Sequence, residues 1–189
     1  MNKSTPPTAA LLLGLSLLFP SALPLGAQRR EHLTPEEIEQ VRDNQELDKR
    51  TAVFIKAVQR RVLAITDPAG AAREAEKEKE RWGEVKGTRA QLLSDVARIL
   101  DEAVVNIDDA HQRSPESALL RKALYRLSEA AAGLVPQLTP LRASITAEPE
   151  RDQLERAIET AQEIVEAAKT HAVTEEDLKT KEKGGKKGN

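Results

Sequence analysis

Residues Leu120–Ile145 read LRKALYRLSEAAAGLVPQLTPLRASI. Leu120, Leu124, Leu127, Ala131, Leu134, Leu138, Leu141 and Ile145 recur there at spacings of 4, 3, 4, 3, 4, 3 and 4. Side chains three and four positions apart share one face of an α-helix, so this is a helix with a narrow apolar seam. A helix cannot bury such a seam alone, and the rest of the chain must supply its partners. Pro136 and Pro140 interrupt the pattern. Each removes a backbone donor and crowds the carbonyl four residues back, at about 3 kcal/mol or more in a straight helix. Val135 and Thr139, before the prolines, are pushed away from helical backbone. The chain either breaks near Gly133 and restarts near Gln137 or bends as one helix. The apolar phase survives both prolines, which favours the kink.

The partner helices lie on both sides. Upstream, Thr34-Pro35-Glu36-Glu37 reads as a capping box with proline at the first helical position. From there Ile38, Val41, Leu47, Thr51, Phe54, Ile55, Val58, Val62 and Ile65 predict one helix over about 35–66, loosened at Asn44. Arg42, Asp48, Lys49, Lys56 and Arg60 fall on its opposite, polar face, and Asp67-Pro68 with Gly70 stop it. Residues 71–86 have no apolar face. Glu74–Lys77, Glu76–Lys79 and Glu78–Arg81 can pair one turn apart, which makes this a solvated, charged connector helix ended by Gly83 and Gly87. Trp82 stands where the charge gives way to glycine. It either folds back to cap the bundle or stands out as an anchor for a partner, a role for which tryptophan is enriched; the first reading is favoured.

Thr88–His111 forms the next helix, with Leu92, Val96, Ile99, Ala103, Ile107 and Ala110 on one stripe. Leu93, Leu100 and Val104 widen it, as suits a helix touching two neighbours. Ser114-Pro115-Glu116-Ser117 caps the seam helix. Past Glu148-Pro149-Glu150, Leu154, Ile158, Ala161, Val165, Ala168 and Ala172 repeat at helical spacing, and Thr174 opens one more acidic turn. The expected fold is therefore all-α, an antiparallel helical bundle of about four long amphipathic helices plus a charged connector helix.

The N-terminus carries Lys3, an uncharged apolar run from Ala9 to Phe19, and then Pro20, Ser21, Ala22, Pro24, Gly26 and Ala27. This is the three-part layout of a secretory signal peptide. Its core is short for a transmembrane helix, which needs about 20 apolar residues. Cleavage after Ala27 is favoured over an uncleaved anchor, although Leu25 is larger than the ideal residue at its position. The domain plan is a signal peptide at 1–27, a helical-bundle domain at 28–178 and a Lys/Gly-rich tail at 179–189. Beyond the leader the chain holds 28 basic and 31 acidic residues, a net charge of −3. The tail alone carries +4, so the body is near −7 and offers no electrostatic basis for binding nucleic acid. Membrane contact is limited to the basic tail or an uncleaved leader. There is no cysteine, hence no disulfide, lipid-attachment or thiol chemistry.

Chemical signatures are few. Of His32, His111 and His171, only His111 has an acid at metal-ligand spacing, in Asp108-Asp109-Ala110-His111. Carboxylate-bridged metal bundles use two Glu-x-x-His units and two further glutamates. One Asp-led unit at a helix end is better read as a histidine complementing the helix dipole. No Gly-x-Ser-x-Gly elbow, Gly-rich phosphate loop or Cys-x-x-Cys-His haem motif occurs. No residue is assigned a catalytic, cofactor or metal role, no cofactor is expected, and the chain does not read as an enzyme.

Two likenesses bear on function. Glu31 to Ile65 contains Leu33-Thr34-Pro35-Glu36-Glu37, Val41-Arg42-Asp43, Gln45, Arg50 and the run Phe54–Arg61. This stretch, about a fifth of the chain, resembles the opening of uncharacterised exported helical proteins of bacteria, a resemblance that implies export and helicity. Leu33–Glu37 is also similar to the Leu-Thr-x-x-Gln motif of the Spy/CpxP periplasmic chaperones, echoed by Leu138-Thr139-Pro140. Glu37 and Arg142 stand where that family has glutamine, the body is acidic, and no methionine-rich client surface is present. The expectation is a soluble, exported, non-enzymatic protein acting through protein partners or self-association in the cell envelope. The alternatives are an ATP-independent chaperone and a metal-binding bundle at Asp108 and His111.

Overall fold

The computed structural model describes residues 30–179; the leader at 1–27 and the tail beyond Lys179 lie outside the described residues. The chain divides between Arg30 and Glu31, and every helix among the described residues follows that point. Six α-helices form: α1 (Pro35–Asp43), α2 (Leu47–Thr66), α3 (Pro68–Trp82), α4 (Arg89–Arg113), α5 (Ala118–Leu138) and α6 (Glu148–Thr170). Two 3-10 turns, Thr139–Ala143 and Glu175–Lys179, follow α5 and α6. No strand occurs among the described residues, so the all-α expectation holds.

The helix starts follow the sequence. Thr34 and Thr88 each form a full capping box, with Glu37 and Gln91 as the reciprocal acceptors. The single helix expected over 35–66 is two. Asn44 leaves helical backbone, at φ −96° and ψ 85°, and its side-chain amide donates to the Gln40 carbonyl. Arg50 then donates back to the Asn44 carbonyl at 3.1 Å and to the Gln45 side chain at 2.9 Å, supplying the released acceptors. Asp67 ends α2 and also caps α3 through the Gly70 N–H at 2.9 Å, so the breaker is also a start signal. Pro68 takes the first turn of α3, where its missing donor costs nothing.

The seam helix runs through Pro136 without stopping at Gly133, and tightens into the 3-10 turn only at Thr139. The Gln137 amide donates to the Gly133 carbonyl and the Thr139 hydroxyl to the Val135 carbonyl, both at 2.7 Å. These bonds brace the turn around the proline. Leu120, Leu127, Ala131, Leu134, Leu138 and Ile145 are buried, while Leu124 and Leu141 are half-buried. On α6, Ile164 is buried and Val165 only half-buried, because a 3.6-residue helix drifts away from a strict heptad.

Helices α2, α4, α6 and α5 pack as a ring in that order, with only a small contact between α4 and α5. The breadth of the α4 stripe is thus used against two neighbours, α2 and α6. Polar contacts set the directions. Arg50 near the start of α2 meets Asn106 near the end of α4, and Arg121 at the start of α5 meets the carbonyls ending α6. Arg89 and Glu150, both at helix starts, pair across α4 and α6, and Asp48 pairs with Lys122 across α2 and α5. Consecutive long helices therefore alternate in direction. The short link 114–117 crosses the bundle end, so α2 and α5 run parallel, as do α4 and α6.

Helix α3 lies against α2. Glu74 and Glu78 turn inward to Lys56, at 2.6 and 3.1 Å, rather than along their own helix. Trp82 is 7% exposed, which decides against the outward anchor; it lies beside α1 and the first half of α2, with Asn44, Val53 and Lys56 nearby. Asp48 and Arg60, expected on the polar face of their helix, are buried as well. No helix among the described residues is long and apolar enough to cross a membrane.

Candidate functional site

Among the described residues, two polar clusters differ sharply in their access to solvent. The first is inside the fold. Glu37 is fully buried, and its Oε1 accepts from the guanidinium groups of both Arg60 and Arg61 while its Oε2 accepts the Thr34 N–H at 2.9 Å. Arg60 also donates to the Trp82 carbonyl at 2.8 Å and the Gly83 carbonyl at 2.5 Å. Arg61 donates to the Ala57 carbonyl at 3.0 Å and the His32 carbonyl at 2.7 Å. The Thr34 hydroxyl closes the ring on the Trp82 carbonyl at 2.8 Å. Arg60 and Arg81 lie 6.0 and 5.7 Å from the Trp82 ring centroid, within cation–π range. Every polar group of Glu37 is satisfied and none faces solvent. The cluster fastens the segment before α1, helix α2 and the α3 terminus together; it is an internal staple.

The second place is open. A cleft of about 370 Å³ lies at the bundle end where α4 and α6 finish and α5 begins. Its floor is aliphatic, from Val104, Ile107, Leu120, Leu124, Ile164 and Val173, and its rim is polar, from Asp108, His111, Glu116, Arg121 and His171. The seam explains the opening. Leu120 and Leu124 are its first two members, and beside them α4 and α5 barely touch because the link between them crosses the end. One wall is fixed by Arg121, which donates to the His171 carbonyl at 3.1 Å and the Ala172 carbonyl at 2.8 Å. These are orphan acceptors at the α6 terminus. The same guanidinium grips Asp177 at 2.8 and 3.2 Å and holds its carboxyl below the usual carboxylate range, although partial burial pulls the other way. Ala172 itself adopts a left-handed conformation, φ 48°, to turn the chain under that wall.

The histidines separate cleanly. His32 is remote, with its Nε2 2.6 Å from a Glu102 carboxylate oxygen. His111 and Asp108 share the cleft rim, as their spacing predicts, and the fold adds His171 from α6. Among the described residues no group of three or more His, Asp or Glu is placed to hold a metal ion. The metal reading therefore gains no support from the arrival of the third residue. Glu116, Arg121, His171 and Val173 carry no local motif. They join Asp108 and His111 only because the 114–117 link crosses the bundle, and that is a tertiary fact. The Lys-rich tail, the other sequence feature with a binding reading, lies outside the described residues beyond Lys179.

Compared with known protein families, with curated proteins and with solved structures, the chain finds no match.

Proposed function

We propose that this chain is an exported, non-enzymatic helical-bundle protein that acts by protein–protein contact in the cell envelope, as an adaptor or structural component. The bundle-end cleft is its contact site. The observation that carries the reading is the composition of that cleft: an aliphatic floor under an exposed polar rim, where α4 and α6 end and α5 begins. Such a site seats an apolar side chain and orients it by the rim. Export rests on the leader pattern of residues 1–27. The chaperone alternative needs an open apolar surface for unfolded clients. Among the described residues one large hydrophobic side chain is strongly exposed, Val105 at 55%, which favours a discrete contact over a client-holding face.

Photo-crosslinking in living cells tests the reading. A photoreactive residue at His111 or Glu116 should give one recurring adduct, and the same probe at Glu76 on the outer face of α3 should not. A broad smear of adducts from the rim would favour the chaperone. Absence of any adduct from the rim would remove the cleft as the contact site.

A further inference from the structure

The partner segment's chemistry can be argued from the free charge at the cleft, an inference that rests on the cleft being the contact site. Three charged side chains stand on the rim: Asp108, Glu116 and Arg121. Arg121 is spent, with its guanidinium forked onto Asp177 and two carbonyls. The carboxylates of Asp108 and Glu116 are exposed, and neither takes part in a hydrogen bond or ion pair among the described residues. What the rim offers an incomer is therefore two unspent negative charges, with His111 and His171 as adaptable hydrogen-bonding groups between them.

A further apolar side chain stands outside the cleft on the same helix. Val104 lines the floor, while Val105, next in sequence but on a different side of the helix, is the large hydrophobic side chain left exposed among the described residues. Val105 lies three and four residues before Asp108 and Asp109, so all three share the outer face of α4. The order along this face is an apolar step, then acids, then the mouth of the cleft. At about 370 Å³ the cleft is near the small end of ligand sites and holds one large side chain with part of a second.

We propose that the occupant is a cationic amphipathic segment of a partner protein. One aliphatic or aromatic side chain fills the cleft, a second rests on Val105, and lysine or arginine side chains one turn away pair with Asp108 and Glu116. This is helix-in-groove recognition with charge complementarity setting the choice of partner. The acidic body of the chain, near −7, acts in the same direction by drawing a basic segment toward it.

The test uses the isotope-labelled chain as recovered from expressing cells, at pH 8, with three model peptides of equal length. One places leucine and lysine at helical spacing, one leucine and glutamate, and one serine and lysine. The leucine–lysine peptide should shift backbone amides of 104–121 and 164–173 and spare those of α3. The acidic and the serine peptides should not shift them. The paired substitution Asp108→Asn with Glu116→Gln should weaken binding on the order of tenfold, the scale of two exposed ion pairs. Added salt should weaken it more in the unsubstituted chain than in the substituted one, which keeps only the attraction of the acidic body.

Equal binding of the glutamate peptide, or no effect of the substitutions, would overturn the cationic assignment and leave the cleft as a contact site. Equal binding of the serine peptide would show that the floor is unused and overturn the amphipathic one. Silence of the cleft toward all three peptides would sink the contact-site reading along with this inference. Two other outcomes would name a different occupant. Cleft shifts that grow with protein concentration alone would assign it to a second copy of the chain, and binding that appears only once residues 180–189 are removed would assign it to the chain's own basic end.

Discussion

Glu37→Ala is the most severe single change the structure identifies. Removing this carboxylate leaves Arg60 and Arg61, 7% and 2% exposed, without their shared counter-charge. Breaking a buried ion pair by deleting one partner costs about 3–5 kcal/mol, because the remaining charge stays desolvated. The Thr34 N–H loses its acceptor in the same change, so the α1 cap goes with it. Against a total stability of roughly 5–15 kcal/mol for a domain, the loss is a large fraction. At about 2–4 °C per kcal/mol for a chain of this size, the midpoint should fall by about 6–20 °C. Urea and thermal unfolding followed by far-ultraviolet circular dichroism give both numbers. Glu39→Ala is the control, since Glu39 pairs with Arg42 one turn away in full solvent and should cost under about 1 kcal/mol. If the two variants unfold alike, the carbonyls of His32, Ala57, Trp82 and Gly83 suffice for the two guanidinium groups, and the staple is misread.

Other changes should stabilise or act locally. Gly133 is exposed in α5 and a methyl group there would meet nothing within 4 Å, so Gly133→Ala should add about 0.5–1 kcal/mol in the same unfolding assay. Ala172 sits in the left-handed region, and Ala172→Gly should relieve about 1 kcal/mol without moving the cleft amides in a nuclear magnetic resonance spectrum. Asp177 is held below its ordinary value chiefly by Arg121, so its contribution is present above about pH 3.9 and is lost as pH falls through its lower folded value. Protection of the amides at 171–179, measured against their intrinsic exchange rate at each pH, should therefore fall on acidification in that window, and Arg121→Gln should flatten the response.

What the sequence made legible was periodic or local. The seam of Leu120–Ile145, the caps at Thr34 and Thr88, the wide face of α4 and the charged α3 all depend on residues within a few turns of one another. The break at Asn44 was visible as a weak point, but whether it parts the helix depends on Arg50 reaching back to stabilise it. Arg60 and Asp48 were misplaced because helical phase ranks them as polar and outward. It cannot show that Glu37, 23 residues before Arg60, or Lys122, 74 residues after Asp48, waits to neutralise them in the interior. The same limit applies to the cleft. Asp108 and His111 were visible as a pair on one face, whereas Glu116, Arg121 and His171 arrive from a link and two helices whose meeting no local spacing records.

The crossing of the bundle end by residues 114–117 also bears on how the chain folds. It divides the bundle into two antiparallel pairs, α2 with α4 and α5 with α6, the first joined through α3 and the second through residues 139–147. The contacts between the pairs, α2 on α5 and α4 on α6, are the ones that span long stretches of chain. Loop-closure entropy grows with the separation being closed, so each pair can form before the two dock. Substitutions within a pair, such as at the buried Val58 of α2 or Leu93 of α4, should then slow folding, while those between pairs, such as Arg89 against Glu150, should mainly hasten unfolding.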